Sequence, residues 1–227
     1  MLQQITNWGA WAIPDWIQMC RAMCDKTRHV EYHFEFDASR CSDEDKFMLA
    51  QLIFCNHLGP ISLNRFSFTK DSILDTFVIA QVGDCINISE SLYSQMEELT
   101  ANQEGHMPQN RIIVQDEDHA LDSEASSYKR TERLPLNGAL LVKNIHRVLR
   151  ISASDGENVI ECVDLDGIFR NSAPAYGSKI ALFPGLERQR DILLLRAKYV
   201  FHLGGRACRD SSAADKFTFL SNKLKGR

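Results

Sequence analysis

Asp164 and Asp166 are the residues whose type and spacing come closest to chemistry. They stand two apart, immediately before Gly167, at the end of the apolar run Val159-Ile160-Glu161-Cys162-Val163. A carboxylate at that position can attack phosphorus, and a second one two residues on can serve as acid and base. Mg²⁺ would neutralise both carboxylates and the phosphoryl oxygens, which makes the chemistry phosphate ester hydrolysis. Lys179 and Lys198 are the cations to nominate for the phosphate. The same run has a second reading. Val159, Glu161 and Val163 alternate with Ile160 and Cys162 as in a half-buried strand, and the acids are then only its closing turn.

Two other clusters could carry function. Cys20 and Cys24 are followed by His29 and His33, and zinc would need four such ligands converging tetrahedrally. However, His29 and His33 fall in or beside Val30-Glu31-Tyr32-His33-Phe34-Glu35-Phe36, which alternates like a strand. Buried thiols and surface imidazoles are therefore the expectation, with neither metal nor cofactor. Trp8, Trp11 and Trp16 lie within nine residues around Pro14. They form either an interaction surface or a packed N-terminal flap, and packing is favoured.

Composition bounds the rest. The chain has 227 residues, 44% hydrophobic and 25% charged, which suits a soluble globular protein long enough to bury a core. A net charge of -4 disfavours a nucleic-acid coat and is compatible with a basic partner such as an Arg-rich segment. No run reaches the roughly 18 apolar residues of a membrane span, and Met1-Leu2-Gln3-Gln4-Ile5 does not begin a signal peptide. The 7 cysteines form an odd set, which a reduced intracellular compartment permits. The expected setting is cytoplasmic.

The elements that must position these residues change character along the chain. Residues 1–60 read as a partly helical N-terminal extension. Helical spacing of Trp16, Met19, Cys20 and Met23 predicts a helix from Asp15 to about Lys26, and Ser42-Asp43-Glu44-Asp45 caps a second. From Ile61 the period becomes that of strands, with a hairpin of 63–68 and 76–82 turning at Lys70-Asp71-Ser72. Ser89 or Ser91 starts a helix carrying Leu92, Met96 and Leu99. Residues 115–131 form an acidic flexible loop. Strand periodicity resumes at 140–142, 147–151 and 159–163, with a tight turn at Asp155-Gly156. Further strands follow at 179–183 and 197–203, and a Ser-capped helix at 211–224. Short, closely spaced strands predict a mainly β, α+β fold built on a small barrel.

Two families resemble parts of this pattern. Asp164-Leu165-Asp166-Gly167 is similar to the nucleophile motif of haloacid-dehalogenase-type phosphatases, but Ile168 stands where that motif has Thr. Residues 168–227 are also too few for the rest of that domain. The second resemblance runs from about residue 62 to 224. Its residues are Phe77 to Val82 with Leu92, Met96 and Leu99; Gly138 to Val142; Arg147 to Ile151; Val159 to Asp164; and Leu186 to Gly204. This order resembles the extended Tudor domain of germline small-RNA proteins, a Tudor barrel (here about 134–183) joined to a staphylococcal-nuclease-like, OB-type half.

That second resemblance implies a non-catalytic adaptor in a small-RNA (piRNA-type) silencing or germ-granule complex. It would bind Arg-rich or methylarginine peptides without contacting nucleic acid or membrane. The sequence departs from the family at the aromatic cage. Asn144-Ile145-His146-Arg147 replaces an aromatic pair, and Leu165 stands where a ring is expected, so His146, Leu165, Phe169, Asn171 and Tyr176 are the candidates for a degenerate cage. Methylated guanidinium binding depends on ring faces around the cation. Self-association is left open.

Overall fold

The computed structural model describes residues 1–24, 32–103, 147–205 and 220–225. The expected strand at 140–142, the acidic loop at 115–131 and most of the 211–224 helix lie outside these residues, as do His29 and His146.

The N-terminal part is helical for local reasons. After a short α1 (Leu2–Ile5), Pro14 opens α2 (Pro14–Cys24), a position where its missing N–H costs nothing. Ser42 caps α3 (Asp43–Phe54): its Oγ accepts the Asp45 N–H at 3.1 Å and donates to the Asp45 carboxylate at 2.7 Å. The other Asp45 oxygen accepts the Trp8 indole N–H at 2.8 Å, which ties the cap to the residues before α2. The expected strand at 30–36 is not one over its described part. Tyr32, Phe34 and Phe36 do alternate, but they have no strand neighbour, and their rings pack in a chain against Phe47 of α3 and Phe201.

The strands form one sheet. β1 (Val78–Asn87) is followed by α4 (Leu92–Gln103), β2 (Leu149–Ser154), β3 (Val159–Asp164), β4 (Lys179–Leu182), β5 (Arg188–Gln189), β6 (Ile192–Leu195) and β7 (Val200–Gly204), in the spatial order β5-β6-β3-β2-β1-β4-β7. β1 pairs with β4 through its first half and with β2 through its second, across an irregularity between Val82 and Cys85. A bulge there increases twist and lets one strand serve two neighbours. The run 192–204 then curls the sheet: β6 lies parallel to β3, and after the 3₁₀ turn Ala197–Tyr199 the chain continues as β7 against β4. Mainly β with flanking helices is thus the architecture, in an OB-type arrangement. The first arm of the expected 63–82 hairpin is not a strand. Phe68 forms a bridge to Leu74, which lies before the expected second arm, and the Phe66 N–H goes to the Asp155 carboxylate instead of a strand partner.

Two cores follow from alternation along β1. Val78, Ala80 and Val82 point into the barrel with Ile151, Cys162, Ile180, Leu193 and Leu195. Ile79 points the other way, with Ala181, Phe183 and Leu203, into a second core filled by Trp8, Trp11, Trp16, Leu49 and Leu52. The described residues of 1–24 and 32–61 therefore cover the outer face of β1, β4 and β7. Backbone bonds fasten them, Leu63 N–H to Trp11 O at 2.7 Å and Ile13 N–H to Ile61 O at 2.8 Å.

Trp11 stands at the centre of this cover, with its N–H on Ile5 O at 2.9 Å and its ring against Phe77. Trp11→Ala should cost about 3–5 kcal/mol in urea unfolding, the range of large-to-small core truncations. A change below about 0.5 kcal/mol, typical of a surface site, would contradict this packing.

Candidate functional site

The acidic turn after β3 is held by its own chain. The Asp164 carboxylate accepts the N–H groups of Ile168 and Phe169, both at 2.9 Å, and is almost fully buried. Asp166 accepts the Arg196 guanidinium and the Ala197 N–H, each at 2.9 Å, and these bonds hold its carboxyl below the usual range. Gly167 turns the chain at φ 68°. The two acids thus staple the end of β3 to the end of β6 and to residues 168–169. A phosphatase nucleophile needs a free oxygen facing substrate and metal, whereas both oxygens of the buried Asp164 carboxylate accept backbone N–H groups, and both oxygens of the exposed Asp166 carboxylate are bonded to Arg196 and Ala197. Lys179, nominated for phosphate, is fully buried, and its ammonium donates to Cys55 O and Gly177 O, both at 2.7 Å. Burial lowers its pKa.

The described candidate cage residues differ in environment. Phe169 is 3% exposed, inside the barrel core and edge-on to the His202 ring at 5.3 Å. Leu165 and Tyr176 are each 43% exposed, Asn171 is exposed, and His146 lies outside the described residues. A cage presents several ring faces to one cation, and the Phe169 ring is committed to packing. Trp8, Trp11 and Trp16 likewise pack on one another, with ring centroids 5.4 and 5.7 Å apart, and form core rather than a surface. Of the zinc candidates, Cys20 is buried, which pushes its thiol up to about 11, and His33 is exposed.

The face that remains is the outside of β2, β3 and β6. The register sets Arg150 opposite Val163, Ser152 opposite Glu161 and Ser154 opposite Val159, with Ile192 and Leu194 beside Glu161 and Val163. Their neighbours Ile151, Ala153, Ile160, Cys162, Leu193 and Leu195 fill the barrel, so these side chains point outward. Val159 is 69% exposed, and Arg150 pairs with Glu161 at 2.9 Å. The surface is therefore a patch of aliphatic side chains with one ion pair across it.

Residues 60–214, more than half of the chain, match the family model described as RMI1, N-terminal OB-fold domain. The chain belongs to this family. No curated protein matches it. The RMI1 OB-fold assignment agrees with the curled sheet and its order, and the outward face of β2 and β3 is the one OB folds use for ligands. Sequence reasoning missed part of that face, because the hairpin into β6 turns at Arg190-Asp191, both at positive φ (48° and 66°), without the Gly or Asn that marks such turns. The continuous apolar run 192–195, flanked by charges, was the available signal.

Two outcomes follow. Asp164→Ala should destabilise the fold by about 1–3 kcal/mol per N–H left unpaired, while neither wild type nor variant turns over a phosphomonoester with Mg²⁺; turnover abolished by Asp164→Asn would contradict the structural role. His202 lies between the Phe169 ring and Glu35, 3.6 Å from its Nδ1, and burial lowers its pKa although Glu35 opposes this. The unfolded chain therefore binds the proton first, and stability should fall as pH drops below about 6.5. In denaturation at pH 7 and pH 5, the loss should be smaller for His202→Gln than for wild type.

Proposed function

We propose that this chain is a non-catalytic scaffold module whose outer β2–β3–β6 face docks a protein partner, within a complex of the DNA-repair kind that its family implies. The observation that carries this reading is the composition of that face. OB folds that hold single strands combine a basic groove with aromatic platforms for bases. Here the outward positions are Arg150, Ser152, Ser154, Val159, Glu161, Val163, Ile192 and Leu194; none is aromatic, and the cation is paired. The exposed Val159 and the half-buried Val163, Ile192 and Leu194, set among polar groups, suit a protein interface better.

The narrower setting in small-RNA silencing or germ granules, with methylarginine as ligand, rests on the Tudor resemblance alone. The family match supports only the OB half of that resemblance. A cytoplasmic location likewise rests on the sequence reading.

Val159→Asp places a charge on the face without touching the core, so the fold should persist. Affinity capture from a native extract should lose about tenfold or more of its specific partner with this variant. Binding of a single-stranded oligonucleotide should be no tighter than the non-specific range of about 10⁻⁴–10⁻⁶ M and should weaken steeply with salt. Tight oligonucleotide binding abolished by Arg150→Ala would overturn the reading in favour of a nucleic-acid module.

A further inference from the structure

β7 stands at one end of the strand order, and β4 is its strand partner. The Phe183 N–H reaches Tyr199 O at 2.9 Å in the same register, so Phe183–Tyr199 and Ala181–Phe201 are the hydrogen-bonded pairs. In an antiparallel ladder the intervening pairs turn their backbone groups the other way. The N–H and C=O of Val200 and His202 therefore point away from β4, and among the described residues no backbone bond reaches them. Such an edge is a template for another strand.

Residues 32–36 lie over this edge. Phe201 projects to the side of its register partner Ala181, into the N-terminal core, and Phe36 meets its ring at 5.4 Å. His202 projects to the barrel side, where its ring meets Phe169, and the Glu35 carboxylate lies 3.6 Å from its Nδ1. The same carboxylate closes on Gly204, where an added Cβ would lie 2.8 Å from it. Two consecutive residues thus touch opposite faces of β7, and at the end of a sheet a chain does so by passing along the edge.

The cover is made by side chains. Residues 32–36 form no backbone hydrogen bond among the described residues, and none of them is fully buried. Val200 and Leu203 of β7, by contrast, are 5% and 1% exposed. Segments with few buried contacts and no backbone bonds open locally at little cost.

We propose that residues 32–36 are a displaceable strap, and that the β7 edge under it is a binding site for an extended segment of a protein partner, which joins the sheet as a further strand. Main-chain pairing recognises this partner: the alternate N–H and C=O groups of the edge match those of an extended peptide, and an apolar side chain meets Phe201. The strap itself shows the kind of chain the edge accepts, one in which rings alternate with polar groups. This site does not rest on the β2–β3–β6 face.

The test uses the full chain and a synthetic peptide of residues 30–36, which carries the strap's own alternation. In the free wild type, the His202 amide should exchange with deuterium about tenfold or more faster than the Phe201 amide, which is bonded to Ala181. Glu35→Ala combined with Phe36→Ala lifts the strap. This variant should bind the peptide about tenfold or more tighter than wild type does, with the His202 amide protected on binding. A peptide with both Phe34→Pro and Glu35→Pro should not bind, because one of two adjacent N–H groups must face β7. Equal protection of the His202 and Phe201 amides in the free wild type would overturn the proposal, and that measurement requires no variant to fold. Peptide affinity that the double variant leaves unchanged, or that survives the two prolines, would overturn it as well. Concentration-dependent self-association of the double variant in sedimentation, without peptide binding, would assign the edge to a second copy of this chain instead. Val159→Asp alters the other face and should leave peptide binding unchanged, so the two sites fail independently.

Discussion

β1 has to satisfy two neighbours and two faces at once, and the rest of the molecule is arranged around that demand. Its first half is hydrogen-bonded to β4 and its second to β2. Its even-numbered residues Val78, Ala80 and Val82 fill the barrel, and Ile79 is sealed under the N-terminal helices. The start of β1, Val78 to Ala80, is buried on both faces and is apolar throughout, and it needs a cover on the side the barrel does not provide. The tryptophans supply that cover. Their large surfaces fill the gap between two helices and a curved sheet, and two of their polar N–H groups find acceptors in Asp45 and Ile5 O.

Much of this was legible in the chain because it is local. Ser42 before three acids marks a cap, and the structure shows the cap. Asp155-Gly156 marks a tight turn, and Gly156 sits there at φ 101°. Alternation from Val159 to Val163 marked a half-buried strand, and the fold turns its Ile160 and Cys162 into the barrel. What sequence could not reveal is long-range. The carboxylates of Asp164 and Asp166 look alike as letters, but their roles depend on which N–H groups reach them, and those come from residues up to 31 positions away. The alternation of Tyr32, Phe34 and Phe36 is real, yet it serves ring packing, because a strand also requires a neighbour with free backbone groups. Phe169 follows the same logic, since only the fold reveals that its ring faces inward.

Function follows from what the fold leaves over. The acids close a turn, the indoles cover β1, and the buried ammonium of Lys179 ties β4 to the end of α3. The outward side of β2, β3 and β6 sets Val159, Val163, Ile192 and Leu194 beside the Arg150–Glu161 pair. In a member of the RMI1 N-terminal OB-fold family, that combination favours holding a partner over transforming a substrate.

The proposed partner sits on this outward face, and methyl cross-saturation in the reconstituted complex tests that directly. With the partner irradiated, the methyl signals of Val159, Val163, Ile192 and Leu194 should be attenuated, while those of the buried Val78, Ile151 and Leu193 are not. Attenuation confined to other parts of the surface, with these four unaffected, would contradict the account.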